Sequence, residues 1–296
     1  PRLGLGDGDD PSATVDSPRM LVAVAQTEPR LAEVARNVDA ALARMEEAAA
    51  QGVSLLVLPE AALTGYVFES REEALRTALE LDGPEVGAIV DGAHRLGLHV
   101  VVGLIVREEE TLRNTALLAG PGGRIGHYHK THLPFLGVDR FVQPGDALPV
   151  FDTAIGRIAI EICYDLRFPE VSRSLALGGA DIVAHPTNWP LAATSNADFI
   201  TRTRALENRV YLLTANRCGS ERGTEFCGWS QICDPSGARL VETGRAGEAL
   251  LVAEVDLAQA RDKSIVPIPG EYEMHLWGHR RPELYGPVAE HHPEPH

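Results

Sequence analysis

The chain has 296 residues, 44% of them hydrophobic, with 27 basic against 42 acidic residues and a net charge of -15. That length supports one or two domains with a sizeable core. The acidic balance argues against nucleic acid or an anionic membrane as partner, and no apolar run reaches the length of a transmembrane helix.

Four cysteines, Cys163, Cys218, Cys227 and Cys233, form no CxxC pair. A chain this long needs no disulfide scaffold, so they read as reduced thiols of a cytoplasmic protein, the last three packed in strands. Residues 1–18 are rich in Gly, Asp and Pro and lack the basic start and apolar core of a signal peptide. They are expected to form a flexible tail, with Met20 a candidate natural start. Residues 19–288 are expected to form one domain. Residues 289–296 read as a loose end whose histidines are solvated rather than a metal site.

In chain order, Leu21–Ala25 reads as a strand. Leu31, Val34, Val38, Ala41, Leu42, Met45 and Ala49 then follow helical spacing, and Gly52 ends that helix. Val53–Leu58 is a second, buried strand. Residues 70–96 hold two helical segments broken by Asp82-Gly83-Pro84. Val100–Val106 is the next strand, and Arg113–Leu118 and Arg124–His129 form a hairpin about the turn at 120–123. The second half continues with strand Ile158–Ile162, helix Pro169–Leu177, strand Asp181–His185, helix Asn196–Asn208 and strand Val210–Ala215. Phe226–Cys233, Ala238–Val241 and Glu248–Val255 complete the strands, with a turn at Asp234–Gly237. Helices alternating with strands, and hairpins among them, indicate an α/β fold, a layered sandwich.

Strands in such folds deliver functional groups at their C-terminal ends. One strand closes on Pro59 and Glu60, a second is followed by Lys130, and a third ends at Cys163 with a helix starting at Pro169. A thiol at a strand tip beside a helix N-terminus is expected to have a lowered pKa and to be reachable, as a nucleophile must be. The competing reading is a buried structural cysteine. A carboxylate whose pKa is raised by burial would serve as the base, which fits Glu60. The Lys130 ammonium and the backbone N–H of Tyr164 would supply donors for the oxyanion of an acyl-transfer intermediate.

Three segments carry a resemblance. Leu58-Pro59-Glu60-Ala61-Ala62-Leu63-Thr64-Gly65-Tyr66, His129-Lys130-Thr131-His132-Leu133 and Ile162-Cys163-Tyr164-Asp165-Leu166-Arg167-Phe168-Pro169-Glu170 resemble the glutamate, lysine and cysteine motifs of the nitrilase superfamily of carbon–nitrogen hydrolases. Pro186–Trp189, Arg204–Asn208 and Ala215-Asn216 match further, so the likeness runs from about Met20 to about Tyr285. The resemblance implies a four-layer α-β-β-α sandwich, a homodimer or larger homo-oligomer, and hydrolysis of a non-peptide C–N bond without cofactor or metal. It implies Glu60 as general base, Cys163 as nucleophile and Lys130 as transition-state stabiliser. Cys163 attacks the amide carbonyl, ammonia leaves, and water cleaves the thioester.

Many family members carry a second glutamate between the lysine and a following Pro-Gly-Asp. Here Thr131–Asp146 holds none. Asp139 is the nearest acid, with a shorter side chain. Strand alternation would put Arg157, Ala159, Glu161 and Cys163 on one face, Glu161 about 7 Å from Cys163. Either Asp139 or Glu161 is a candidate auxiliary acid; alternatively Glu161 pairs with Arg157 or another buried cation.

Tyr66, Tyr164, Asn188 and Trp189 are candidate substrate-pocket residues, with core packing as the alternative for the two tyrosines. His127 and His129 share a strand face, but their spacing with His132 matches no standard zinc motif, so all three read as hydrogen-bonded histidines. Asp165, Arg167 and Glu170 are expected to fix the turn after Cys163, and Glu207 and Asn208 to brace the loops around it.

The small-molecule substrate expected first is a small aliphatic or ω-amino amide, since Asn216–Gly228 resembles amidase members. An N-carbamoyl amine comes second, and a nitrile or a catalytically silent binding protein is less favoured. The segment Ile265–Tyr285, with Met274, Leu276 and Trp277, is expected to pack across a subunit interface.

Overall fold

A computed structural model describes residues 19–291, so the tail expected over 1–18, and most of that expected over 289–296, fall outside the described residues. The first half of the chain runs β1 (Arg19–Gln26), α1 (Val34–Ala50), β2 (Val53–Val57), α2 (Arg71–Thr77), α3 (Pro84–Leu96), β3 (His99–Glu108), β4 (Thr111–Gly120) and β5 (Gly123–His129). The second runs β6 (Val150–Thr153), β7 (Gly156–Ile160), α4 (Pro169–Leu177), β8 (Ile182–Thr187), α5 (Thr201–Asn208) and β9 (Tyr211–Asn216). A short hairpin, β10 (Ser220–Glu221) and β11 (Thr224–Glu225), precedes β12 (Gln231–Cys233) and β13 (Arg239–Glu242). The chain ends with β14 (Ala249–Asp256), α6 (Leu257–Arg261) and a second hairpin, β15 (Ser264–Ile268) and β16 (Tyr272–His275).

Two six-stranded sheets result, ordered β14-β1-β2-β3-β4-β5 and β13-β12-β9-β8-β7-β6. Each has three parallel strands, β1–β3 or β7–β9, flanked by antiparallel ones. The layering follows from strand alternation. Val22, Val24, Leu55, Val57 and Val101 turn inward to the core shared with the second sheet. Their neighbours Ala23, Ala25, Leu56, Leu58, Val100 and Val102 pack with Val38, Ala41 and Met45 of α1 and Val86, Ile89 and Ala93 of α3. Successive side chains point to opposite faces, so a strand covered on both sides reads as a continuous apolar run. Val171 and Leu175 of α4 and Ala205 of α5 cover the second sheet. The fold is the expected α-β-β-α sandwich. Among the described residues no helix is long and apolar enough to cross a membrane.

Several elements differ from expectation for local reasons. Asn196–Ile200 is a π turn leading into α5 rather than its first α-helical turn. There the Ala197 carbonyl accepts from Gln231 Nε2 (2.7 Å) and Arg239 Nη2 (3.0 Å). The strand expected from Phe226 begins only at Gln231, because Gly228 and Trp229 take positive φ values of 56° and 62°. The strand β6 was too short to announce itself by period. The C-terminal segment forms the β15–β16 hairpin and brings Trp277 against the protein's own core, under Arg173 and Lys263. Met274, Leu276 and Trp277 are all half-buried within the one chain.

Candidate active site

The first carboxylate is delivered by a sharp turn after β2. The β3 strand presses against it: Gly103 N–H donates to the Pro59 carbonyl at 3.1 Å. A Cβ on Gly103 would lie 2.4 Å from the Pro59 oxygen and 2.5 Å from Glu60 Cα, so only glycine permits this approach. Glu60 is completely buried.

Lys130 follows β5 directly, its N–H bonded to the Asn114 carbonyl of β4 (2.8 Å). Its ammonium donates to Glu60 Oε1 at 2.8 Å and Asp139 Oδ2 at 2.5 Å, with no solvent exposure of any of the three side chains. Asn114 Nδ2 bridges the same carboxylates, at 2.7 Å from Glu60 Oε1 and 2.8 Å from Asp139 Oδ1. The Tyr66 hydroxyl donates to Asp139 Oδ2 at 2.9 Å. Asp139 is aimed inward by a 3₁₀ turn, Gly137–Arg140, docked through Val138 N–H on the Tyr66 carbonyl (2.8 Å). Tyr66 is held in turn by Glu221, whose Oε2 accepts the Tyr66 N–H at 2.9 Å while Oε1 pairs with buried Arg217.

The charges in this cluster are set by competition. Burial alone would push Lys130 down, but Asp139 and Glu60 more than offset it and hold its pKa well above the ordinary lysine value. Burial raises Glu60 and Lys130 opposes it, leaving Glu60 above the usual carboxylate range. Glu60 Oε2 has no protein partner.

Cys163 lies beyond the end of β7, at φ +48°, an uncommon conformation for a non-glycine residue and the kind found at functional turns. It opens a 3₁₀ turn, Cys163–Arg167. Burial, then the Glu60 charge, push its thiol far above the ordinary cysteine value; Lys130 and contacts with Thr187 and the Asn188 backbone pull the other way. This corrects the expectation of a lowered pKa: seven per cent exposure and a neighbouring anion outweigh one short helical turn.

Asp165 joins the cysteine turn to the lysine loop. Its Oδ2 accepts the Ile162 N–H (2.9 Å) and the Tyr128 hydroxyl (2.8 Å), and its Oδ1 accepts the His132 N–H (3.0 Å) and the Thr131 hydroxyl (3.1 Å). Burial works against its charge, but hydrogen bonds from His132 and Ile162 hold its pKa below the usual range. Arg204 pairs with Glu207 at 2.8 Å and donates to the Leu166 carbonyl at 2.9 Å, bracing the same turn, while Asn208 caps back onto the Arg204 carbonyl. Arg167 lies at the surface against Ser195.

The other candidates separate. Asn188 is buried with neither side-chain polar atom partnered, and Trp189 is buried with its indole N–H free. Tyr164 puts its ring on the surface, 37% exposed and edge-on to Phe168, rather than into the cluster. Glu161 is buried, but β7 stops at Ile160, so regular alternation does not carry it alongside Cys163. Its Oε2 accepts from Ser172 of α4 at 2.7 Å and its Oε1 lies 3.6 Å from His185 Nδ1 of β8. Arg157, the cation offered as its partner, pairs with Asp152 instead. Burial raises Glu161 to about 7 and lowers His185 to about 3. The four cysteines are unpaired thiols.

Asn114, Asp165's reach to His132, and Glu221 escaped sequence reasoning. The available signal for Asn114 was a lone amide inside an otherwise apolar strand.

A thiol, a buried carboxylate and a buried ammonium are groups that acyl transfer uses. The carbon–nitrogen hydrolase family model matches residues 21–263. A nitrilase from Pyrococcus abyssi is 40% identical over 82% of this chain and 92% of its own. The structure of an alanine mutant of Nesterenkonia AN1 amidase, from the nitrilase superfamily, superposes with a TM-score of 0.74 at 28% identity, covering 90% of this chain and 95% of that one. Another mutant of that amidase, covering 82% and 96% with a TM-score of 0.71 at 28% identity, carries acrylamide added to its active-site cysteine. The chain belongs to the carbon–nitrogen hydrolase family and is a C–N hydrolase of the nitrilase superfamily.

Proposed function

We propose that this hydrolase converts a small aliphatic or ω-amino amide to its carboxylate and ammonia through a thioester on Cys163. The observation carrying this reading is the Glu60 carboxylate. One oxygen is tied to Lys130 and Asn114, the other, Oε2, has no protein partner, and the carboxylate's charge reaches the Cys163 thiol. A thiol held neutral needs a base at the moment of attack. Glu60 takes the Sγ proton as sulfur adds to the carbonyl carbon, and passes it to the departing nitrogen. Water then adds to the thioester, Glu60 accepts its proton, and collapse returns that proton to sulfur.

Lys130, kept charged by its two carboxylates, stabilises the oxyanion of each tetrahedral intermediate together with the Tyr164 backbone N–H. Asp139 serves as the auxiliary acid that fixes Lys130. Asn188 and Trp189, with unpartnered polar atoms, line the amide pocket. We infer further that the chain works as a homodimer or larger homo-oligomer; the exposed Leu284, Tyr285 and Val288 near its C-terminus support this.

The test is a panel of short amides, ureido acids and nitriles, with ammonia and carbon dioxide measured separately. Ammonia alone, from amides, lost in Cys163→Ala, is expected. Carbon dioxide released with ammonia from ureido acids would replace the amide by an N-carbamoyl amine, and faster turnover of nitriles would replace it by a nitrile.

A further inference from the structure

Three ligand-type side chains converge on the outer face of the first sheet, away from the thiol. Alternation along β5 sends Tyr128 into the inter-sheet core and His127 and His129 to the opposite face. There the two imidazoles sit with ring centroids 4.7 Å apart. Glu108, at the end of β3, reaches across the intervening strand β4 so that its Oε1 lies 3.3 Å from His129 Nε2. One ligand atom from each of the three residues falls within 4.8 Å of the others. All three are half-buried.

We propose that Glu108, His127 and His129 form a binding site for one divalent d-block cation of the zinc or cobalt type. Two ligands on a tetrahedral ion with bonds of about 2.0–2.1 Å stand roughly 3.3–3.4 Å apart, so the Glu108–His129 edge already has the required length. His127 has to close by no more than a side-chain adjustment. An outer hydrogen bond prepares the site: Thr115 Oγ1, fully buried on β4, lies 2.8 Å from His129 Nδ1. With Nδ1 engaged as donor, Nε2 presents its lone pair toward Glu108, the arrangement in which histidine ligates metals. Two nitrogens and one carboxylate suit zinc or cobalt rather than magnesium or calcium, which ask for an oxygen shell.

Approach is favoured by the groove that Glu108 lines, which also holds Glu80, Asp82, Glu109 and Glu110 against one cation, Arg107, paired with Glu80. Arg113 Nε, 3.4 Å from Glu108 Oε2, occupies the other oxygen and limits affinity. The ion would tie β3 to β5, the strand that leads directly to Lys130.

The test uses the full chain, stripped with chelator and titrated with Co²⁺, read by visible absorption, and with Zn²⁺, read by calorimetry and melting temperature. Wild type is expected to take up one equivalent and to melt several degrees higher with Zn²⁺. His127→Ala is expected to weaken binding at least ~10-fold and to abolish the shift. Glu108→Gln, which keeps shape and removes charge, is the second variant should His127→Ala fold poorly. The C-terminal histidines and the four cysteines are common to all three proteins. Equal binding by wild type and both variants, no binding by wild type, or a cobalt spectrum dominated by thiolate charge transfer would each overturn the site.

Discussion

Asp139 reaches Lys130: a carboxylate oxygen 2.5 Å from the ammonium, both side chains fully buried, on a loop where relatives of this fold often place a longer acid. The 3₁₀ turn at Gly137–Arg140 brings this shorter acid within reach of the ammonium. With Glu60 on its other side, Lys130 has two anions for one positive charge. Removing the Asp139 charge takes away the larger of the two influences that offset burial of the Lys130 ammonium and leaves Glu60 as its one anion. Asp139→Asn is therefore expected to lower kcat ~10²-fold or more with little change in KM. Tyr66→Phe removes one hydrogen bond and should cost ~10-fold or less. Glu161→Gln, whose parent carboxylate is engaged with Ser172 and His185, should leave turnover within about twofold. A larger loss in Glu161→Gln than in Asp139→Asn would reverse this assignment of the auxiliary acid.

The Cys163 thiol is held protonated by burial and by Glu60. Alkylation by iodoacetamide should thus be slow at pH 7 and still rising above pH 9, with no plateau near neutrality. Cys218 and Cys227 rise to about 11 and Cys233 to about 12, so peptide mapping is needed to follow each thiol. In Glu60→Gln the anion is gone and the Cys163 profile should move to lower pH, although hydrolysis falls ~10³-fold for want of a base. A Cys163 profile that levels off near pH 7 in the wild type would show a stored thiolate and remove the need for a base at the moment of attack.

The parts of this site that could be read from sequence are those set locally. Pro59-Glu60 and Cys163 each terminate an apolar run, which marks a strand covered on both sides, while Lys130 follows the second strand of a hairpin flagged by its Gly-Pro-Gly-Gly turn. What was not legible depends on long-range placement. The thiol's raised pKa comes from a sheet and a carboxylate about a hundred residues away in sequence. Asn114 sits in β4 with no motif around it, and only the hairpin register brings its amide between Glu60 and Asp139. Glu161 reads as a neighbour of Cys163 only while the strand is assumed to continue; once β7 stops at Ile160, its partners come from α4 and β8. The C-terminal hairpin pairs through a bulge between Ile265 and Ile268, which blurs the period-two signal.

Asp165 is a test of how the two halves are joined. Its two oxygens accept from Ile162, Tyr128, Thr131 and His132, so it fastens the turn after one sheet to the loop after the other. Asp165→Asn keeps the shape but turns one acceptor into a donor facing donors. That should cost about 3 kcal/mol in stability, read as a lower urea midpoint at unchanged m. His132→Ala, which loses the Nδ1 contacts with Asp165 and Thr131 and the stacking on Phe168 while the His132 N–H bond to Asp165 remains, should cost ~1–2 kcal/mol. Equal losses in the two variants would mean that Asp165 acts through His132 alone.

Glu161 and His185 give the stability a pH dependence of opposite signs. Glu161 has a folded-state pKa of about 7 against an ordinary 4.5. Between those values the folded chain keeps a proton that the unfolded chain has released, so this group's contribution falls as pH rises, and is flat above about 7. At ~1.4 kcal/mol for each unit, the loss is at most about 3 kcal/mol. His185, lowered to about 3 from 6.5, does the reverse: the unfolded chain binds the extra proton, and stability falls as pH drops through that window. Glu161→Gln deletes the first dependence and leaves the second. The melting temperature of the variant, measured relative to wild type, should therefore climb between about pH 5 and pH 7 and level off above. The comparison is of slopes, because the amide introduces its own donor beside His185. A difference that stays constant across that range would mean that Glu161 ionises alike in both states, and that its burial with Ser172 and His185 leaves its proton affinity where an exposed glutamate has it.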